Sequence, residues 1–564
     1  MPVLGVTAAV VHGSEVLMPD RPVPQPTLAS AEFWAAGRDS VLRISRCGQC
    51  RRYFHPPGPM CPYCRSQQVS LEAVSGRATV AAVSVNHQTW TPALPPPYAV
   101  AIVAIDEDSG ARLTTNIVHC DPDSVYIGQQ VRVLFEQRGE VFLPMFEPDP
   151  ERSGESGPVP EPRDVTRRLR SPASTRKFED DVAITGVGQS RVGRRLMVDP
   201  VALTVEACLA AVEDAGLSLD DIDGLSTYPG AAGPGFSEGG VTPVEEALQL
   251  RPVWVNGAAE TPGQNGSIMA AMLAVSAGLV RHVLCFRTVW QASYSALERA
   301  GQWPASTDAA TGMMEWRVPF GALSAAQWIG MNASHYMHRY GVGREALGWI
   351  AVNNRANAGL NDEALYREPI TMDDYFDARM ITTPFGLLDC DVPCDGAVAV
   401  VVSAAETVPD LRKPGVFVEA VGTQILERVS WDQDTLAHMP QSLGPSAHLW
   451  TRTSLRPADV DMVQLYDGFT FNALSWLEGL GFCGLGEATD FLDGGRTIAL
   501  DGALPMNTSG GQLSAGRLHG YGFVREAVLQ LRGEAGARQV PDARVAAVTA
   551  GGGIPSGAML LRRD

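Results

Sequence analysis

Cys47-Gly48-Gln49-Cys50 and Cys61-Pro62-Tyr63-Cys64 place two C-x2-C pairs ten residues apart. Each pair can grip one ion from a tight turn, and two such turns complete a closed tetrahedral site of four thiolates, the set that structural zinc prefers. Metal binding at such a site is part of the folding free energy, so the pairs impose a small metal-nucleated unit. Four unconnected thiols are the weaker reading, because exposed paired cysteines rarely persist without a ligand. Iron is held by similar knuckles, and Arg46, Arg51, Arg52 and Arg65 soften the charge of the site without choosing between the metals. No open coordination position is implied, so the expected role is structural, with no redox cofactor.

The chain is 564 residues long and 45% hydrophobic, enough for several cores. A formal net charge of -19 excludes nucleic acid as the main partner, since phosphate binding needs a concentrated basic surface. Any anionic ligand must find a local basic pocket. Met1 to Met18 has no basic start and carries His12 and Glu15 within its apolar part, which is unlike a secretory signal. The longest weakly polar run, Ser267 to Val280, is too short for a bilayer crossing and suits a buried helix, so no membrane span is expected. Ten cysteines in so long a chain make no disulfide framework, which points to the cytoplasm.

Residues 149–179 combine Pro, Gly, Ser and charge with almost no apolar periodicity and read as a solvated linker between separately folding parts. Before it, a short helix near Phe33-Trp34 and the cysteine knuckles occupy residues 25–70. Short β-branched runs at 76–85, 98–105, 112–118 and 130–135 fill residues 71–148, and closing them into a small barrel would remove exposed edges. After it, residues 180–564 alternate strands and helices. Val182 to Gly188 reads as a buried strand, Ala202 to Ala215 as a helix stopped by Gly216, Ser267 to Leu279 as a helix, and Val283 to Phe286 as a strand. A turn at Asp395-Gly396 is expected to precede a strand over Ala397 to Val402. This alternation gives an α/β architecture with covered sheets.

Two resemblances sharpen this organisation. The order of helix, knuckles and barrel, with Pro95-Pro96-Pro97-Tyr98, Ile127-Gly128 and Leu143-Pro144-Met145-Phe146, is similar to the DUF35 family of rubredoxin-like zinc ribbon plus OB-fold proteins, over roughly residues 25–148. Its members commonly partner thiolase-like enzymes, so both in one chain imply a fusion. From Val182 to Arg563, seven motifs fall in the order seen in thiolases of the sterol-carrier or lipid-transfer branch. They are Ala210 to Leu217, Pro369-Ile370-Thr371, Leu387-Leu388-Asp389-Cys390, Asp395-Gly396-Ala397, Tyr466-Asp467-Gly468-Phe469, Gly510-Gly511 and Gly551-Gly552-Gly553. The resemblance implies a layered αβαβα thiolase fold, an acyl-CoA substrate and a two-fold homodimer.

The chemistry departs from a thiolase. A working thiolase needs a nucleophilic cysteine at a buried helix N-terminus, where the dipole favours thiolate, and a second cysteine to shuttle the proton. Here Gln264 stands at the first place, within Thr261-Pro262-Gly263-Gln264-Asn265-Gly266, and Thr549-Ala550 stands at the second. Thiolases also carry a Gly-His-Pro element after a glycine pair and a tetrapeptide that holds the thioester oxygen. Arg517, before Leu518-His519-Gly520, and Tyr466 occupy those places. Cys390 and Cys394 could substitute as nucleophiles, although small buried thiols are the favoured reading.

Cleaving a 3-hydroxyacyl thioester by retro-aldol reaction needs a base for the hydroxyl proton and support for the thioester oxygen, with no covalent intermediate. The expected catalytic residues are Tyr466, Asp467, Arg517 and His519, and the expected substrate-binding residues are Gln264, Asn265, Gly510, Gly511 and Gly552. Tyr466 takes the proton if a cation such as Arg517 lowers its pKa; its plainer role is an aromatic anchor at a strand end. Asp467 orients Tyr466 or a loop. His519 suits proton transfer or donation to the thioester oxygen, or else is a structural histidine at a helix start. Arg517 clamps an enolate or carboxylate, or else is a solvated cation. The Tyr-Asp-x-Phe element resembles that of the thiolase-like aldolases of bacterial steroid side-chain degradation, which act after a hydratase. That branch is expected to carry Tyr before Ile-His-Gly, where this chain has Arg517. Thiolase-type acyl transfer and a non-catalytic acyl-CoA or lipid carrier are the alternatives; loss of both cysteines weighs against the first and a rebuilt ionisable site against the second.

Overall fold

The structure, a computed structural model, describes residues 21–160, 168–231, 235–302, 310–428, 430–433, 435–438, 442–551 and 556–563. Strands Arg43–Cys47, Tyr53–Phe54 and Val69–Ala73 form a small antiparallel sheet beside the knuckles. The four cysteine sulfurs lie within 4.8 Å of one another, with Cys47 and Cys64 at 3.5 Å and Cys50 and Cys61 at 3.6 Å. A tetrahedral ion with bonds of about 2.3 Å holds its sulfurs about 3.8 Å apart, so the set fits zinc. Arg51 and Arg65 each follow a knuckle in the left-handed region, and their N–H groups donate back to the carbonyls of Cys47 and Cys61. These two arginines therefore shape the turns as well as softening the charge.

Five strands close the barrel: Arg77–Asn86, Tyr98–Ile105, Arg112–Ile117, Val141–Pro148 and Gln130–Arg138, with the last pairing back to the first through Arg77 and Arg132. Val141–Pro148 escapes a propensity reading because Pro144 lies inside it, yet Pro144 pairs with Phe135 and its carbonyl accepts from Thr115 Oγ1 at 2.8 Å. The Pro/Gly/Ser-rich segment begins against this barrel. Asp149 is buried, Ser156 bridges to Gln129, and Gly157 donates to the Gly128 carbonyl at 2.8 Å.

The two parts of the chain share packing. Phe320 belongs to the barrel core, Trp316 stacks on Trp34 at 4.9 Å, and Glu315 Oε1 accepts from Trp34 Nε1 and from Ser30 Oγ. Helix Ala325–Tyr340 lies on strand Arg77–Asn86, where Ser334 donates to the Val83 carbonyl at 2.6 Å. The barrel sheet also runs on into the second part, since Asn86 pairs with Thr382 of the hairpin Met380–Thr382 and Phe385–Gly386.

The second part is built on a nine-stranded mixed sheet. Its order is Trp254–Asn256, Gly224–Thr227, His282–Trp290, Asp395–Ala404, Val182–Gln189, Val416–Gly422, Gly557–Arg562, Val545–Ala550 and Met462–Gln464. Alternate residues of the central strands feed two cores. Val283, Cys285, Val398, Val400 and Val402 face the larger core with helices Gly266–Ser276 and Tyr521–Arg532; Leu284, Phe286, Ala397, Ala399 and Val401 face helix Pro200–Ala215. A strand covered on both faces reads as a continuous apolar run, which is why these segments were legible. The Asp395-Gly396 pair is not a turn. Both residues start the strand, because the Asp395 carboxylate accepts from Leu196 N–H and from the N–H and hydroxyl of Ser293. No helix among the described residues is long and apolar enough to cross a membrane.

Phe320→Ala removes an aromatic plug from the shared core. It is expected to lower stability by about 3–5 kcal/mol in denaturant unfolding, with zinc content unchanged, because the four cysteines do not contact it.

Candidate active site

The apolar helix Gly266–Ser276 and the helix Tyr521–Arg532 start side by side, with Ser267 Oγ and Tyr521 Oη 2.6 Å apart. The residues just before them, Gln264-Asn265 and Arg517-Leu518-His519-Gly520, are thereby brought together. A methyl placed on Gly520 would stand 3.3 Å from Ala550 Cβ, 3.4 Å from Asn265 Oδ1 and 3.5 Å from Gln264 Oε1. Tyr466 and Asp467 arrive from the end of strand Met462–Gln464. Asn507 fixes that exit, donating to the Leu465 carbonyl at 3.0 Å and accepting its N–H at 2.7 Å. Thr549, at the second cysteine's place, accepts the Tyr466 N–H at 2.8 Å.

Asp467 is fully buried and ties this exit to the glycine loop. Its carboxylate accepts from Asn354 Nδ2, from Asn507 Nδ2 at 3.1 Å and from the Gln512 N–H at 2.8 Å. The loop passes through a single π turn, Gly511–Ala515. Gly511 has φ +58, and a Cβ there would stand 2.0 Å from Asp467 Oδ2; one on Gly510 would meet Ala358 Cβ at 2.5 Å. Both glycines thus admit the protein's own atoms. Asp467 is hydrogen-bonded to the loop through the Gln512 N–H. Burial outweighs its hydrogen bonds and lifts its pKa to about 7.

Arg517 and His519 form the ionic part. Arg517 Nε lies 2.6 Å from His519 Nε2 and 3.1 Å from Asp391 Oδ2, while its Nη1 donates to Gln291 Oε1 at 2.6 Å. The other ring nitrogen, His519 Nδ1, lies 2.6 Å from Nη2 of the fully buried Arg287. Burial and then the two cations push the His519 pKa well below its ordinary value, so the ring is neutral and is no proton donor of the kind its type suggests. A neutral imidazole accepts at one nitrogen only, so one of the two guanidiniums is left facing its N–H. Arg517, a quarter exposed, is the one open to a ligand. Burial works against its charge, yet the Asp391 carboxylate keeps its pKa above the usual arginine value.

Tyr466 corrects a second expectation. Arg517 does favour its ionised form, but burial wins, helped by Asp391 and Tyr228, and the hydroxyl pKa rises above the usual tyrosine value. Cys390 and Cys394 are also pushed up by burial and donate weakly to the carbonyls of Gly386 and Arg517. Both are small packed thiols without thiolate character. Gly552 lies outside the described residues.

Sequence reading missed Arg287, Asp391, Gln512, Gln291, Tyr228 and Glu238. Arg287 left a signal, a charge inside the apolar run Val283 to Val289; burial pulls its pKa down to about 10, and Glu238 opposes that shift. Asp391 follows the Leu387-to-Cys390 motif directly. Gln512 Oε1 accepts the His519 backbone N–H at 3.1 Å, a link visible only in three dimensions.

The chain matches three known families: the rubredoxin-like zinc ribbon domain of ChsH2 over residues 34–70, the C-terminal OB-fold domain of ChsH2 over 71–136, and the thiolase C-terminal domain-like family over 434–561. It is 34% identical over 390 residues to the steroid side-chain-cleaving aldolase of Thermomonospora curvata, covering 68% of this chain and 98% of that protein. It is 33% identical over 385 residues to the 17-hydroxy-3-oxo-4-pregnene-20-carboxyl-CoA lyase of Mycobacterium tuberculosis, covering 67% and 98%. A solved structure of an Ltp2-ChsH2(DUF35) aldolase is similar with a TM-score of 0.60 at 32% identity, over 68% of this chain and 98% of that one.

The Asp467 shift carries a pH signature. An aspartate with a folded pKa near 7, against about 3.9 unfolded, contributes stability that is full below the unfolded value and lost as pH rises through the folded one. The stability difference between wild type and Asp467→Asn in denaturant melts is therefore expected to favour wild type more at pH 5 than at pH 8.

Proposed function

We propose a lyase mechanism from one premise: this chain belongs to the steroid side-chain-cleaving aldolase family, with a ChsH2-type zinc ribbon and OB fold fused ahead of the thiolase-like part. It cleaves a carbon–carbon bond of a 3-hydroxyacyl-CoA by retro-aldol reaction, giving a ketone or aldehyde and a shorter acyl-CoA. The named substrates of its relatives support a bulky, steroid-like acyl group, and a hydratase acting earlier would supply the 3-hydroxyl.

The Arg517 charge, which favours ionisation of the buried Tyr466 hydroxyl, carries the mechanism. The C3 hydroxyl proton passes to the Tyr466 oxygen, the C2–C3 pair moves onto the thioester as an enolate while C3 becomes a carbonyl, and C2 then regains a proton. No water, oxidant or further reactant is consumed. Arg517, a quarter exposed and donating to His519 Nε2, turns toward the developing negative charge, and the neutral His519 ring holds its guanidinium in place rather than delivering a proton. Asp467 does not touch substrate and positions the loop. Gln264 and Asn265 are assigned to the substrate wall, whereas Gly510 and Gly511 make room for Ala358 and Asp467. Cys47, Cys50, Cys61 and Cys64 would hold a zinc ion, which would stabilise the ribbon.

The base must be tyrosinate, and burial keeps that form scarce near pH 7. With Arg517, Asp391, Tyr228 and Arg287 around the ring, kcat/KM should climb as pH rises from 7 to 9. Tyr466→Phe should lower kcat by roughly 10²–10⁴-fold, and Arg517→Gln, which removes the cation that favours ionisation, should move the climb to higher pH. Activity of Tyr466→Phe equal to wild type on a branched 3-hydroxyacyl-CoA, read by ketone release, would refute the assignment.

Two proposals concern the setting. The resemblance to thiolases supports a two-fold dimer through the thiolase-like part, for which light scattering should return about twice 60.2 kDa. The unbridged cysteines support a cytoplasmic location.

A further inference from the structure

Asparagine is among the best helix N-caps because its side-chain oxygen accepts an orphan backbone N–H. Asn265 stands at the N-cap of the buried helix Gly266–Ser276 and caps nothing. It has 0% exposure, and neither its Oδ1 nor its Nδ2 has a hydrogen-bond partner. Among the buried side-chain amides of the described residues it is the one with both polar atoms unpartnered. A buried amide in that state costs stability that any partner would restore. The oxygen of Gln264 is likewise buried and unpartnered, and both amide oxygens face the α-carbon of Gly520, directly after His519. Unpartnered amide atoms are therefore found on two neighbouring side chains, next to the ionic part of the site.

We infer that Asn265 is a catalytic hydrogen-bond donor, its Nδ2 group serving the thioester oxygen of the substrate as that oxygen becomes an enolate. The inference rests on the lyase reading for the enolate and on the geometry alone for the carbonyl contact. Three features fit that task. Asn265 follows the place where a nucleophile would act, so the acyl carbonyl comes near it. The helix N-terminus behind it favours negative charge. A preorganised donor out of water stabilises developing charge more than a solvated one. The empty amide is then a stability cost held for the transition state, as strained or unsatisfied groups at working sites are.

The test uses the full chain and Asn265→Leu, which keeps the volume and removes both polar atoms. Thermal unfolding of the free variant should occur at or above the wild-type temperature, since nothing is lost by removing an unpaired amide. On a 3-hydroxyacyl-CoA that wild type cleaves, kcat should fall about 10²–10³-fold with KM within a few-fold. A binding measurement separates this inference from the lyase reading: wild type should prefer propionyl-CoA to the thioether S-propyl-CoA, which lacks the carbonyl, by about fivefold, and the variant should show no preference. If wild type cleaves nothing but that preference exists and is lost in the variant, the lyase reading falls and the carbonyl contact stands. A variant that melts well below wild type, keeps its kcat or keeps the preference overturns the assignment.

Discussion

The buried Asp467 carboxylate is the constraint on which the site depends. It gathers Asn354 from a helix, Asn507 from the loop that pins the Tyr466 strand exit, and the Gln512 N–H from the π turn. Gln512 passes the connection on, accepting the His519 backbone N–H, and the His519 ring stands between Arg517 and Arg287. One run of polar contacts thus leads from the tetrapeptide through the glycine loop into the centre of the sheet. Low dielectric strengthens each link and makes each unpaired atom costly, so the arrangement is narrow in geometry. Gly511 is needed because the carboxylate occupies the space that a side chain would fill.

The scaffold has exchanged one kind of reactivity for another. Where a nucleophilic thiolate and a shuttling thiol would be, the chain holds the amide of Gln264 and the hydroxyl of Thr549, and Thr549 supports the backbone of Tyr466. The remaining thiols near the loop are protonated by burial. What the site concentrates instead is charge: two guanidiniums, the Asp391 carboxylate and a neutral imidazole in a space with little water. Such a set suits stabilising an anion that forms and disappears within one turnover.

Much of this was legible in the sequence because it rests on local rules. The knuckle spacing reports the four-sulfur site, and Gly216 at φ +74 ends its helix as a glycine after an alanine-rich run should. The Tyr-Asp-Gly-Phe and Gly-Gly elements lead to the loops that meet. What failed depends on burial and long-range contact. Pro144 hid a strand that tertiary pairing imposes, and Asp395-Gly396 looked like a turn because the partners of its carboxylate lie about 100 and 200 residues away. The directions of the Tyr466 and His519 shifts could not be read either. Residue type sets where a titration starts, whereas the depth of burial and the neighbouring cations set where it ends.

The aromatic plug between the two parts has a consequence for how the chain is made. The barrel's last strand ends at Pro148, but its core is completed by Phe320 and flanked by Trp316, about 170 residues further along. During synthesis the ribbon and barrel emerge first and wait, with an apolar opening, for a segment not yet translated. Were the parts separate polypeptides, closing that opening would depend on their meeting at cellular concentrations. Covalent fusion makes the same docking a first-order event at the high effective concentration set by the connecting chain.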